Sequence, residues 1–147
     1  MKTIKQVRGS KDCLACVAAM ATDTTANHYM WWCIEKGLDR SSDFAIIFYL
    51  YANGYGIGIF AAPGEHLSIE DLRLLDIRHV PTYVVVESSQ AKIRAEGGTH
   101  AVYWDGERIH DPNPDADLAL SDYKILGITP IVRIENHERW KNNPESS

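Results

Sequence analysis

The sequence predicts an α+β protein, with helices gathered in the first half and antiparallel strands in the second. Three observations carry this. Cys13 to Ala21 is rich in alanine, holds neither Gly nor Pro, and follows Asp12, a residue suited to capping a helix. Thr82 to Glu87, Thr99 to Trp104 and Ile128 to Glu135 carry the β-branched and aromatic residues of strands. Between strand-type residues, Asp105-Gly106 is a hairpin turn signal, so neighbouring strands run antiparallel. Elements segregated in this way build an α+β fold rather than an alternating α/β one.

In chain order, a short segment around Thr3 to Val7 opens the helical half and leads through the loop Arg8-Gly9-Ser10-Lys11 to Asp12. Thr24 or Thr25 can cap a second helix that reaches Lys36 and stops at Gly37. Ser41, Ser42 or Asp43 starts a third helix, running to about Ala52 and ended by Asn53-Gly54. Gly56 to Ala62 reads as a glycine-weakened strand, and Ser68-Ile69-Glu70-Asp71 as the cap of a short helix ending near Ile77. A two-residue turn at Asp105-Gly106 would pair Trp104 with Glu107, and so His100 with Asp111, directly across the hairpin. Residues 1–135 are expected to form a single domain, and residues 136–147 a polar tail.

Composition narrows the function. A chain of 147 residues that is 45% hydrophobic can build one core without disulfides or a structural metal. The net charge of -5, with acids spread along the chain, leaves no basic stripe for nucleic acid. No apolar run approaches the length of about 18 residues that spans a bilayer. Met1 to Ser10 is polar and lacks the apolar centre of a signal peptide. Three cysteines cannot all pair, which agrees with free thiols and a cytoplasmic location. No cofactor or metal is expected.

Three residues carry chemistry in their pattern. Cys13 stands in the first turn of a predicted helix, where unpaired N–H groups and the helix dipole stabilise a thiolate; the plainer alternative is a small buried hydrophobe. His100 opens a strand just after Gly97-Gly98, an arrangement suited to a side chain facing a cleft; a structural histidine is the alternative. Asp111, before Pro112, ends the strand that pairs with that of His100 and can orient an imidazole; an ordinary Asp-Pro turn is the alternative. His110 adjoins Asp111 on the strand, so it points to the other face and is a poor substitute for His100.

The order of these residues resembles a known superfamily. Gln6 followed by Asp12-Cys13-Leu14-Ala15-Cys16-Val17-Ala18-Ala19-Met20 looks like the start of papain-like cysteine peptidases. Within them it is closest to the bacteriocin-processing, double-glycine peptidase domains of transporters and their small phage and bacterial relatives. Pro81 to Val86 resembles their central strand, Gly98-Thr99-His100-Ala101-Val102 their Gly-His strand, and Ile109-His110-Asp111-Pro112 their closing Asp-Pro. The resemblance implies a papain-like fold with Cys13 as nucleophile, His100 as general base and acid, and Asp111 orienting His100. Gln6 would help the Cys13 N–H hold an oxyanion, and the substrate would be a peptide or protein. The chain departs from the family in two places: Leu14 replaces the usual glycine after the nucleophile, and Gln6 stands one residue further ahead of it.

Other readings compete. Cys13-Leu14-Ala15-Cys16 at a helix start, with Pro81 before a Val-rich strand, echoes thioredoxin but leaves His100 and Asp111 unexplained. Cys13, Cys16, His28 and Cys33 would make a zinc site of mediocre spacing. A peptidase fold kept as a non-catalytic binding module fits the Leu14 departure. Trp32 and Leu14 are expected in the core, with Trp31 at a groove or interface, and Tyr49, Tyr51 and Tyr55 at core edges. His28, His66, His79 and His137 read as surface or helix-end residues.

Overall fold

The computed structural model describes residues 1–57, 60–61, 79–88, 95, 98–116 and 122–134. Three helices come first, α1 (Cys13–Thr22), α2 (Ala26–Lys36) and α3 (Asp43–Ala52). The strands β1 (Tyr55–Ile57), β2 (Phe60–Ala61), β3 (Thr82–Glu87), β4 (Thr99–Trp104), β5 (Ile109–His110) and β6 (Ile125–Arg133) follow. They pair antiparallel in the order β1-β6-β3-β4-β5, with β2 also joined to β6. The protein is α+β. The helix expected to end near Ile77 and the polar tail 136–147 lie outside the described residues.

Local chemistry accounts for the helix ends. Thr25 Oγ1 accepts from the His28 N–H at 3.1 Å and caps α2, while Gly37 closes it in the left-handed region at φ +67. Ser42 Oγ accepts from the Phe44 N–H at 3.2 Å at the start of α3. Asp12 is a correction: its side chain makes no capping bond, because the carboxylate turns toward Arg40 Nε, 3.2 Å away. The short segment Thr3 to Val7 forms neither helix nor strand. Of the strand expected over Gly56 to Ala62, the described residues form β1 and β2, both paired with β6, and β6 itself begins at Ile125 rather than Ile128.

The sheet has apolar residues on both faces. Tyr83 on β3, Ala101 and Tyr103 on β4, and Ile131 on β6 join the cluster that includes the helices. Val84, Val86, Val102, Ile125 and Ile128 form a second cluster with Trp104, Ile109 and Tyr123. Alternation along β3 and β4 produces this division. The alanines of α1 let it pack closely against α2, α3 and β4, and all residues from Leu14 to Met20 are buried. Full burial of a valine such as Val17 contributes roughly 1.5–3 kcal/mol. Leu14 is a core residue as expected, and Trp32 packs edge-on to the buried Tyr49 ring at 5.4 Å. Ile34 and Tyr51 are exposed, so neither joins the core near Trp32 or Tyr49.

Candidate active site

Where α1 begins, it meets β4, and that meeting brings Cys13 to His100. Cys13 is the first residue of α1 and is partly buried. His100 is the second residue of β4, and Asp111 follows β5 directly. His100 Nε2 and Asp111 Oδ1 are 2.6 Å apart, which leaves Nδ1 as the ring nitrogen free to serve Cys13, whose thiol the imidazole helps to lower. Asp111 Oδ1 also accepts from the Asn113 N–H at 2.8 Å, and Oδ2 accepts from the Tyr123 hydroxyl. Cys13 and His100 border one cleft, and Asp111 holds the far nitrogen of the imidazole, so thiol, imidazole and carboxylate are gathered in that order.

The hairpin that brings them together differs from the expected one. Its turn spans four residues, closed by Asp105 N–H donating to Arg108 O at 3.1 Å. Asp105 Oδ1 stabilises this wider turn by accepting from Glu107 N–H at 2.8 Å and Arg108 N–H at 2.9 Å. Tyr103 therefore pairs with His110 and Trp104 with Ile109, and Asp111 is not directly opposite His100. The shift is two residues, and an even shift keeps each side chain on its face.

Electrostatics follow from these contacts. Burial pushes the Cys13 thiol up. Hydrogen bonds from His100 and from the Ala101 and Leu14 main chain, with the imidazole charge, outweigh it and bring the thiol below its ordinary value. Burial likewise pulls His100 down, yet its bonds to Asp111 and Cys13 and their charges push it up to about 9. Burial raises Asp111, but His100, Tyr123 and the Asn113 N–H hold it below the usual carboxylate range. The other thiols move oppositely: burial and the Cys13 and Asp12 charges push Cys16 up to about 11, and burial raises Cys33. All three cysteines are free.

A cleft of about 410 Å³ opens over Cys13, bordered by Gln6, Ser10, Tyr83, Ser88 and His100. Gln6, expected as an oxyanion donor, is among the residues that border it, with its Nε2 donating to Ser10 O at 2.8 Å and its Oε1 buried without a hydrogen-bond partner. The Gln6 main-chain N–H donates to Pro112 O at 2.8 Å, next to Asp111. Leu14 lies on the cleft wall. Tyr123 and Lys5, whose Nζ donates to Asp111 O at 2.9 Å, were missed by sequence reasoning: a tyrosine in a polar stretch and a lysine near the N-terminus give no local signal of a partner more than ten residues away.

His110 serves a different network. It is buried, with Nδ1 2.6 Å from Thr3 Oγ1 and Nε2 2.6 Å from Asp105 Oδ2. His28 is exposed with Nδ1 2.7 Å from the Tyr49 hydroxyl, and His79 is exposed. Among the described residues, no group of three or more His, Cys, Asp and Glu side chains is arranged to hold a metal ion. No helix among them is long and apolar enough to cross a membrane.

Neither a protein-family model nor a curated protein matches this sequence. The functional reading therefore stands on the site itself.

Proposed function

We propose that this chain is a papain-like cysteine hydrolase or acyl transferase acting on an amide bond of a peptide or protein, in the cytoplasm. The observation that carries the reading is the linked arrangement of Cys13, His100 and Asp111, with 2.6 Å between imidazole and carboxylate and a thiol lowered at a helix start. A thiolate needs such a setting to be nucleophilic near neutral pH. Helices ahead of an antiparallel sheet, with the cysteine on the first turn of α1, agree with the papain-like arrangement.

In this mechanism the Cys13 proton resides on His100 Nδ1. The thiolate attacks the amide carbonyl, and the oxyanion receives hydrogen bonds from the Cys13 N–H and Gln6. His100 then gives its proton to the departing amine, leaving a thioester on Cys13. Water, or an acceptor amine in a transferase, attacks the thioester with His100 again taking the proton, and the free thiol returns. Asp111 holds the imidazole orientation and stabilises its charged form.

Two other readings have less support. A dithiol exchange through Cys13 and Cys16 needs a second accessible thiol, whereas Cys16 is buried and pushed up to about 11. Leu14 on the cleft wall favours a binding module without turnover. Reaction with p-nitrophenyl acetate separates these. The hydrolase reading expects an acetyl group on Cys13 that is released with turnover, and loss of turnover in Cys13→Ala and His100→Ala. Acetyl groups retained on Cys13, or distributed over all three cysteines, would refute it.

A further inference from the structure

The N-terminal segment and the loop after Asp111 hold one another through main-chain and side-chain contacts. At their centre, Lys5 Nζ donates to three main-chain carbonyls: Asp111 O at 2.9 Å, Asn113 O at 3.1 Å and Ala116 O at 3.1 Å. These occupy all three donors of an ammonium. An exposed lysine normally keeps its water and its rotamer freedom, so this convergence is a specific arrangement. The loop's own N–H groups turn the other way. Asn113 N–H reaches Asp111 Oδ1 at 2.8 Å, Asp115 N–H reaches Asn113 Oδ1 at 3.0 Å, and Ala116 N–H reaches Asn113 O at 3.1 Å. Beside Lys5, Gln6 N–H donates to Pro112 O, and Arg8 pairs with Asp115.

We infer that Lys5 is a positioning residue of the proposed site, a tethered cation around which loop 111–116 is wound. Two features support this. One of the three carbonyls belongs to Asp111 itself, and Asp111 Oδ1 serves both the Asn113 N–H of the loop and His100 Nε2. Loop conformation and imidazole orientation therefore share one oxygen. Gln6 is the next residue after Lys5, so the same cation keeps the oxyanion donor in step with the carboxylate. Without it, three carbonyls turn to water, Asp111 gains freedom, and its hold on His100 weakens. Cys13 then loses part of its imidazolium partner, and its thiolate forms at higher pH.

The inference rests on Cys13 being the reactive thiol, and the test keeps the two apart. Iodoacetamide labelling of Cys13 in the full chain is followed by mass spectrometry across pH, with circular dichroism reporting the fold. Lys5→Ala should label Cys13 about tenfold more slowly near neutral pH, the loss that one pKa unit brings, with its acid limb moved to higher pH. Added methylammonium, but not tetramethylammonium at equal ionic strength, should restore part of the rate, since only the former has N–H donors. Lys5→Arg keeps charge and donors and should keep most of the rate; recovery by either route supports the inference. Unchanged labelling in Lys5→Ala overturns it. So does a slowed Lys5→Ala that ignores methylammonium while Lys5→Arg is equally slow. If the unmodified chain does not label first at Cys13, the proposed function fails and takes this inference with it.

Discussion

His100 and Asp111 meet at 2.6 Å from diagonal rather than facing positions of the β4–β5 hairpin. Continuing the observed register, the position opposite Asp111 is Val102, two residues from His100 and on the same face. Side chains at such diagonal sites reach one another when one is long. The diagonal approach leaves room at Asp111 for further donors, and the Tyr123 hydroxyl and Asn113 N–H take them. A buried carboxylate with this many donors stays charged and fixed.

Asp111→Asn should accordingly keep its packing and lose the charge that stabilises the imidazolium. We expect Cys13 alkylation at neutral pH to fall by about tenfold or more, one pKa unit being a factor of ten. The pH dependence of stability should change with it. Asp111 is held below the carboxylate range, so its contribution is present above the unfolded value and lost as pH falls through the folded one. His100 is raised to about 9, so its contribution is full below the unfolded histidine value and lost as pH rises through about 9. Chemical denaturation of the parent and Asp111→Asn across pH should reveal both losses in the parent. Equal curves for the two proteins would count against the pair.

Thiol reactivity should be sharply unequal. Cys13 is lowered, whereas burial raises Cys33 and, with neighbouring charges, pushes Cys16 up to about 11. Iodoacetamide near neutral pH should therefore label Cys13 first. Its rate should rise at a pH below that of a free thiol, and the imidazolium partner should be lost above about 9. First labelling at Cys16 would sink the assignment of the nucleophile.

Much of the fold was legible because helix and turn punctuation is local. Thr25, Gly37 and Ser42 act within a few residues of themselves, and the bounds of β3 and β4 follow from runs of branched and aromatic residues. The candidate site was legible through Cys13 at a helix start and through the parity of His100 and Asp111. Parity survived an error in the hairpin, because Asp105 widened the turn by an even number of residues. What stayed hidden depends on distant partners. Asp12 forgoes capping for Arg40, Thr3 and Lys5 bond to His110 and Asp111 more than a hundred residues away, and Tyr123, packed against the second apolar cluster, reaches Asp111.

Tyr49 offers a test of the helical layer that leaves the site alone. It is fully buried, and its hydroxyl lies 2.7 Å from both Thr24 Oγ1 and His28 Nδ1. Tyr49→Phe keeps the edge contacts with Tyr29 and Trp32 and removes only those bonds. It should cost roughly 1–3 kcal/mol in urea unfolding, with Cys13 labelling in the folded protein unchanged. Leu14→Ala should cost more, roughly 2–5 kcal/mol, because it opens a cavity in the core. Cys13→Ala, removing a partly buried thiol, should move the midpoint little.

Gly106 tests the turn that sets the hairpin register. Its φ is +103, and a Cβ there would come within 2.9 Å of the Cα and carbonyl carbon of His79. The same residue accepts the His79 N–H at 2.7 Å, so the two backbones cannot simply separate without losing that bond. Gly106→Ala thus adds a backbone clash to a conformation that L residues avoid, and should cost roughly 1–3 kcal/mol or more. Gly37→Ala is the control. Its φ is +67 with nothing near the added carbon, so only the left-handed penalty of about 1 kcal/mol remains. Because the turn spaces His110 and Asp111 against β4, the larger effect at Gly106 should come with slower Cys13 labelling, and Gly37→Ala should leave labelling unchanged. A Gly106→Ala protein as stable as Gly37→Ala, or one that labels Cys13 at the parent rate, would mean that this turn does not hold Asp111 against His100.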